Sequence, residues 1–141
     1  MPVITVNTNV AEKSIPVFFQ AALTNMMTKA LQKPKEVMFV DLRSGANIMM
    51  GGDRNPCVFA TVECIGRLNP TSNLAMARDM EDMFIEHLNV RRERIVIRFI
   101  PVPALFCSFN GALHDVSIER DEDIISQAIA EYLHHHHHHH A

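Results

Sequence analysis

Residues 90–100 read VRRERIVIRFI, a charged junction that runs into an apolar, β-branched segment, and residues 33–42, KPKEVMFVDL, repeat the same arrangement earlier in the chain. Lys33-Pro34-Lys35-Glu36-Val37 and Val90-Arg91-Arg92-Glu93-Arg94 each sit between a helical pattern and a strand pattern, which reads as an internal duplication. Upstream of the first junction, Val3 to Asn7 alternate and are rich in β-branched residues, predicting a strand almost at the amino terminus. Ser14 is the expected N-cap of a helix whose apolar residues Phe18, Ala21, Ala22, Met26, Ala30 and Leu31 recur at helical spacing up to Lys33-Pro34. Val37 to Leu42 is the second strand, and Ser44-Gly45, Gly51-Gly52 and Asn55-Pro56 punctuate a turn-rich stretch after it. Cys57 to Ile65 predicts a third strand. Asn69-Pro70-Thr71-Ser72 opens a second helix with Leu74, Met76, Met80, Met83, Phe84 and Leu88 on its apolar face, and Arg94 to Ile100 is the fourth strand.

Strand, helix, strand twice over predicts an α+β fold: a duplicated β-α-β unit forming a four-stranded sheet with both helices on one face. Because Val58 to Ile65 is almost continuously apolar, the other sheet face is expected to be covered too, most simply by another subunit. Past Pro101-Val102-Pro103, the segment Ala104 to Phe109 and the turn dipeptide Asn110-Gly111 predict short edge strands joined as a hairpin. Ser117 to Leu133 carries acidic residues first (Glu119, Asp121, Glu122, Asp123) and then Ile125, Ala128, Ile129 and Tyr132 on one stripe, an added amphipathic helix. His134 to His140 with Ala141 read as an expression tag, giving a domain over 1–114, an extension over 115–133 and a tag over 134–141.

Composition narrows the function classes. A net charge of −3 with no Lys/Arg run argues against nucleic acid as a partner, and no apolar stretch is long enough to span a membrane. The start MPVITV lacks a basic then apolar leader, so the expected location is the cytoplasm, or secretion without a signal peptide. Cys57, Cys64 and Cys107 are an odd number without CxxC spacing, and only His87 and His114 remain outside the tag, so neither a disulfide framework nor a zinc site is expected.

MPVITVNTNV at the start, Lys33-Pro34, the GG-x-x-x-PC run from Gly51 to Cys57, Ile65-Gly66 and RIVIRF from Arg94 to Phe99 together resemble the macrophage migration inhibitory factor and D-dopachrome tautomerase family. The likeness keeps the family's order and spacing from Pro2 to about Asn110, and RIVIRF leans toward the D-dopachrome tautomerase branch. The resemblance implies a homotrimer with active sites between subunits. It also implies keto-enol tautomerisation of small carbonyl acids of the phenylpyruvate or dopachrome type, without cofactor or metal.

On that resemblance Pro2, exposed by loss of Met1, is the catalytic base. Proton abstraction beside a carbonyl needs an amine that is neutral at working pH, whereas α-amines ordinarily titrate at about 7.7–8.0. Apolar burial and a neighbouring cation would both lower that value. With Met1 retained, the Pro2 nitrogen is a tertiary amide and cannot act. Lys33 is the expected second catalytic residue, binding a carboxylate or enolate, although a lysine there also suits a helix C-terminus. The Ile65 backbone N–H is the implied second anion contact, against a plain core role. Phe106 and Phe109 either pack within the hairpin or wall a substrate pocket. Arg98 either points inward as a further cation or outward as a solvated strand residue; it and Val96 stand where the cytokine branch carries asparagine and tyrosine. Ala60 replaces the second cysteine of that branch's thiol motif, so Cys57, Cys64 and Cys107 are expected to be buried strand residues.

The alternative is a secreted, cytokine-like ligand of a cell-surface immune receptor with vestigial catalysis. Glu12 and Gly45 depart from the basic and acidic residues that the cytokine uses for receptor contact. A trimeric scaffold, with the C-terminal helix docked on a neighbour or over the pocket, is a third reading.

Overall fold

A computed structural model describes residues 1–114; the expected C-terminal helix and the tag lie outside the described residues. Strands β1 (Val3–Thr8), β2 (Phe39–Arg43), β3 (Val58–Cys64) and β4 (Ile95–Pro101) form one sheet in the order β2-β1-β3-β4, and helices α1 (Phe19–Leu31) and α2 (Pro70–Leu88) complete the two β-α-β units. Each outer strand runs parallel to its own unit's inner strand, as a helical crossover requires, while β1 and β3 meet antiparallel. Thr5 lies opposite Thr61 in that central pair, so an approximate two-fold axis passes between them and relates the two halves.

Strand alternation assigns the faces. Ile4, Val6, Ala60 and Val62 are buried in one core with Phe19, Leu23, Met27 and Leu31 of α1 and Met76, Met80, Phe84 and Leu88 of α2. Phe19 and Phe84 meet at its centre with ring centroids 6.0 Å apart. The opposite face keeps Phe39 (57% exposed), Phe59 (37%) and Val96 (42%) in contact with solvent within a single chain.

Helix starts differ most from the sequence expectation. Asn69 caps α2 as predicted, its side chain accepting from the Ser72 N–H at 2.9 Å while the Ser72 hydroxyl accepts from the Asn69 N–H, with Pro70 in the first turn. Ser14 does not cap α1: it ends a 3-10 turn over Glu12–Ser14, and the helix begins at Phe19. Pro16 restrains the residue before it, Ile15, to an extended conformation (φ −103°, ψ 128°), which separates turn from helix. The buried stripe of α1 is consequently Phe19, Leu23, Met27 and Leu31, whereas Phe18 and Leu74 are exposed.

Both helices end alike. Gln32 (φ 52°) and Asn89 (φ 54°) are left-handed caps, each followed by a 3-10 turn, Lys35–Val37 or Arg92–Arg94, leading into the outer strand. The duplicated junctions are therefore duplicated geometry. Among the described residues, Ser108–Phe109 (β5) and Ala112–Leu113 (β6) pair only with each other; the expected short strands make a separate hairpin and do not lengthen the main sheet. Cys57 and Cys64 are buried thiols, as expected, but Cys107 is only half-buried.

A buried arginine organises the turn-rich stretch. Arg94 donates through Nε to the Pro56 carbonyl (3.0 Å) and through a terminal nitrogen to the Asn55 carbonyl (3.0 Å), and that nitrogen pairs with Asp53 Oδ1 at 2.9 Å. Asn9 Nδ2 donates to the Arg54 and Asn55 carbonyls, Asn9 Oδ1 accepts from the Cys57 N–H, and Thr8 Oγ1 donates to the Cys57 carbonyl. Replacing Arg94 by Met removes the donors that the Pro56 and Asn55 carbonyls share, with an expected loss of about 1–2 kcal/mol in denaturant titration and faster proteolysis between residues 51 and 56. Gln32→Gly relieves a left-handed side-chain residue and is expected to raise stability by up to about 1 kcal/mol in the same measurement.

Candidate active site

The start of β1, the end of β3 and the end of β4 lie at one end of the sheet, because β3 is antiparallel to β1 and parallel to β4. α1 runs back toward that end and finishes there. Pro2 is buried one residue before β1, and its carbonyl accepts from the Phe39 N–H at 3.0 Å, so the amino terminus is tied into the β1–β2 ladder. Lys33 follows the left-handed cap of α1, donates its backbone N–H to the Thr28 carbonyl at 3.3 Å and is only 2% exposed. Lys33 makes a further interaction besides that backbone bond, so it is not without a partner. Ile65 is buried directly after β3, and the Val102 N–H donates to the neighbouring Cys64 carbonyl at 3.0 Å, joining the β3 and β4 ends.

The two-fold relation isolates what is special about this end. Lys33 and Val90 each follow their helix's left-handed cap, and both are buried. Pro2 corresponds in the same way to the buried Val58, since Thr5 corresponds to Thr61. One half thus carries a proline ring and a lysine where the other carries two valines. Packing alone is satisfied by valine at both positions, so the lysine amine is an addition that packing does not demand.

Among the other expected site residues, Phe106 and Phe109 stand on the segment leaving the same end, 84% and 56% exposed within one chain. Arg98 is not brought to Pro2 and Lys33 in the single chain. It lies on the sheet face away from the helices, with its guanidinium carbon 5.9 Å from the centroid of the Phe59 ring. Pro2, Lys33 and Ile65 therefore share one end of the sheet, the two phenylalanines follow in the segment that leaves β4 at that end, and Arg98 belongs to the open face.

Sequence reasoning passed over the groups that pin the loop before β3. Arg94 read only as the first residue of a strand, and Asn9 drew no reading of its own, because their partners are backbone carbonyls more than thirty residues away. Burial of His114 was equally invisible.

The chain matches the family model described as macrophage migration inhibitory factor over residues 1–114. A solved structure of macrophage migration inhibitory factor from Oncomelania hupensis is 98% identical, with a TM-score of 0.84, covering 96% of this chain and 99% of that one. The macrophage migration inhibitory factor homolog of Brugia malayi is 29% identical over 112 residues, 79% of this chain and 97% of its own length. The Trichinella spiralis factor, 24% identical with a TM-score of 0.76 over 79% of this chain and 98% of its own, shares the fold. With a family match spanning the whole described domain and a duplicated β-α-β sheet of the same architecture, the chain belongs to the macrophage migration inhibitory factor family.

Proposed function

We propose that this protein is a cofactor-free keto-enol tautomerase of small carbonyl acids, phenylpyruvate or dopachrome in type, with Pro2 as its base. The observation that carries this reading is the departure from internal symmetry: Pro2 and Lys33 occupy buried positions that the other half fills with Val58 and Val90. After removal of Met1, Pro2 is a secondary amine. Its burial and a nearby ammonium both disfavour the protonated form, which leaves a lone pair for the α proton of the substrate. Lys33 then balances the enolate or carboxylate charge, with the Ile65 backbone N–H as a second donor, and the protonated ring gives its proton to the enolate oxygen, which forms the enol and restores the neutral amine.

The open sheet face, with Phe39, Phe59 and Val96, suits a neighbouring subunit, and the homotrimer is the assembly we propose. In it, Phe106 and Phe109 become walls of a pocket between subunits, and Arg98 reaches that pocket from the neighbour's sheet. The receptor-ligand reading has less support. Glu12 and Gly45 are both exposed on adjoining turns, the Gly45 N–H donating to the Val10 carbonyl at 2.8 Å, and neither carries the charge that the cytokine presents there.

Two measurements test the chemistry. With intact mass establishing that Met1 is absent, Pro2→Gly is expected to lower kcat for phenylpyruvate by about 10²- to 10⁴-fold, followed by ultraviolet absorbance of the enol. Full activity in that variant, or in protein that keeps Met1, excludes Pro2 as the base. Lys33→Met preserves buried volume and removes the charge, so KM for phenylpyruvate is expected to rise roughly tenfold. An unchanged KM removes Lys33 from the substrate site.

A further inference from the structure

The buried polar or charged side chains of the described residues are Thr8, Lys33, Arg94 and His114. Thr8 and Arg94 anchor the loop before β3, and Lys33 belongs to the proposed site. His114 has no part in either. It is 2% exposed, its backbone N–H donates to the Cys107 carbonyl at 2.8 Å, and its ring Nδ1 lies 3.3 Å from that same oxygen. A carbonyl only accepts, so the ring contact requires the proton on Nδ1.

The hairpin that His114 closes is short. Ser108 pairs with Leu113 and Phe109 with Ala112 around Asn110-Gly111, and strands this short are marginal in water. Cys107 and His114 are the next pair outward, and the His114 ring lies 6.5 Å from the Phe109 ring at an interplanar angle of 43°. We propose that His114 is a positioning residue for the substrate pocket: its Nδ1–H bond to the Cys107 carbonyl locks the base of the β5–β6 hairpin, and its ring sets the orientation of Phe109. This rests on the tautomerase reading, in which Phe109 is a pocket wall. His114 touches no reacting atom, so its effect falls on substrate affinity and not on proton transfer.

The side-chain series separates the donor from the bulk of the ring. Asparagine places an N–H donor at the position of Nδ1, glutamine places its donor one atom further out, and phenylalanine keeps the volume with no donor. His114→Asn is expected to keep the KM for phenylpyruvate near wild type. His114→Gln and His114→Phe are expected to raise it about fivefold, with kcat close to wild type. A KM unchanged in all three variants, or raised equally by asparagine, overturns the proposal. The tautomer of His114 provides a readout that needs no turnover: long-range ¹H–¹⁵N correlation of the full protein, assigned by the signal lost in His114→Asn, is expected to show the proton on Nδ1. A proton on Nε2 alone overturns the proposal even if a variant fails to fold. Should the wild type lack tautomerase activity, the proposed function fails by itself, and the tautomer spectrum still decides whether the Nδ1 bond exists.

Discussion

The pairing of β1 with β3 is the constraint from which the rest follows. β1 begins at Val3 and is hydrogen-bonded on both sides, to β2 and to β3, so the chain's first residues form the middle of the sheet. A central strand cannot fray as a terminus ordinarily does, because every backbone group on it has a partner that water would have to replace. The residue just before it is thereby fixed in a buried position. An amino terminus held this way can serve as a chemical group of defined location.

The same pairing imposes the two-fold relation, and symmetry makes departures from it informative. Two β-α-β units build one core from equivalent stripes, Phe19, Leu23, Met27 and Leu31 against Met76, Met80, Phe84 and Leu88. Their helices close with left-handed caps, Gln32 and Asn89, of nearly equal φ. Against that background Lys33 costs desolvation that Val90 avoids, and the fold must offset it. The pattern agrees with the proposed site: the scaffold repeats, and the candidate residues Pro2 and Lys33 stand on one half.

Stability is distributed unevenly around this frame. The loop before β3 contains little secondary structure, yet Arg94, Asn9 and Thr8 satisfy its carbonyls and hold it to β1 and β4. The hairpin after β4 has only two-residue strands and leans on His114. Loops tied by side-chain donors in this way are rigid without being apolar, which suits segments that must meet solvent or another subunit.

Local signals in the chain were enough for the strands, for the capping box at Asn69 and Ser72 and for the repeated junctions, since each depends on side-chain alternation, turn chemistry or helix periodicity within a few residues. They were not enough for the start of α1, where Ser14 looked like a cap but Pro16 keeps its neighbour extended and delays the helix to Phe19. Motif resemblance singled out Pro2, Lys33 and Ile65. Only the antiparallel register brought the start of β1 and the end of β3 together, and burial sets Lys33 apart from the exposed Lys35 two residues later. Arg98 was ambiguous because alternation gives two faces without saying which one the helices cover. The sequence by itself determined the elements, their order and their duplication, because those are set by local periodicity. Tertiary structure decided which face is core, which cation is buried and that His114 and Arg94 act as clamps, because their partners are distant backbone carbonyls or neighbouring strands that no local pattern encodes.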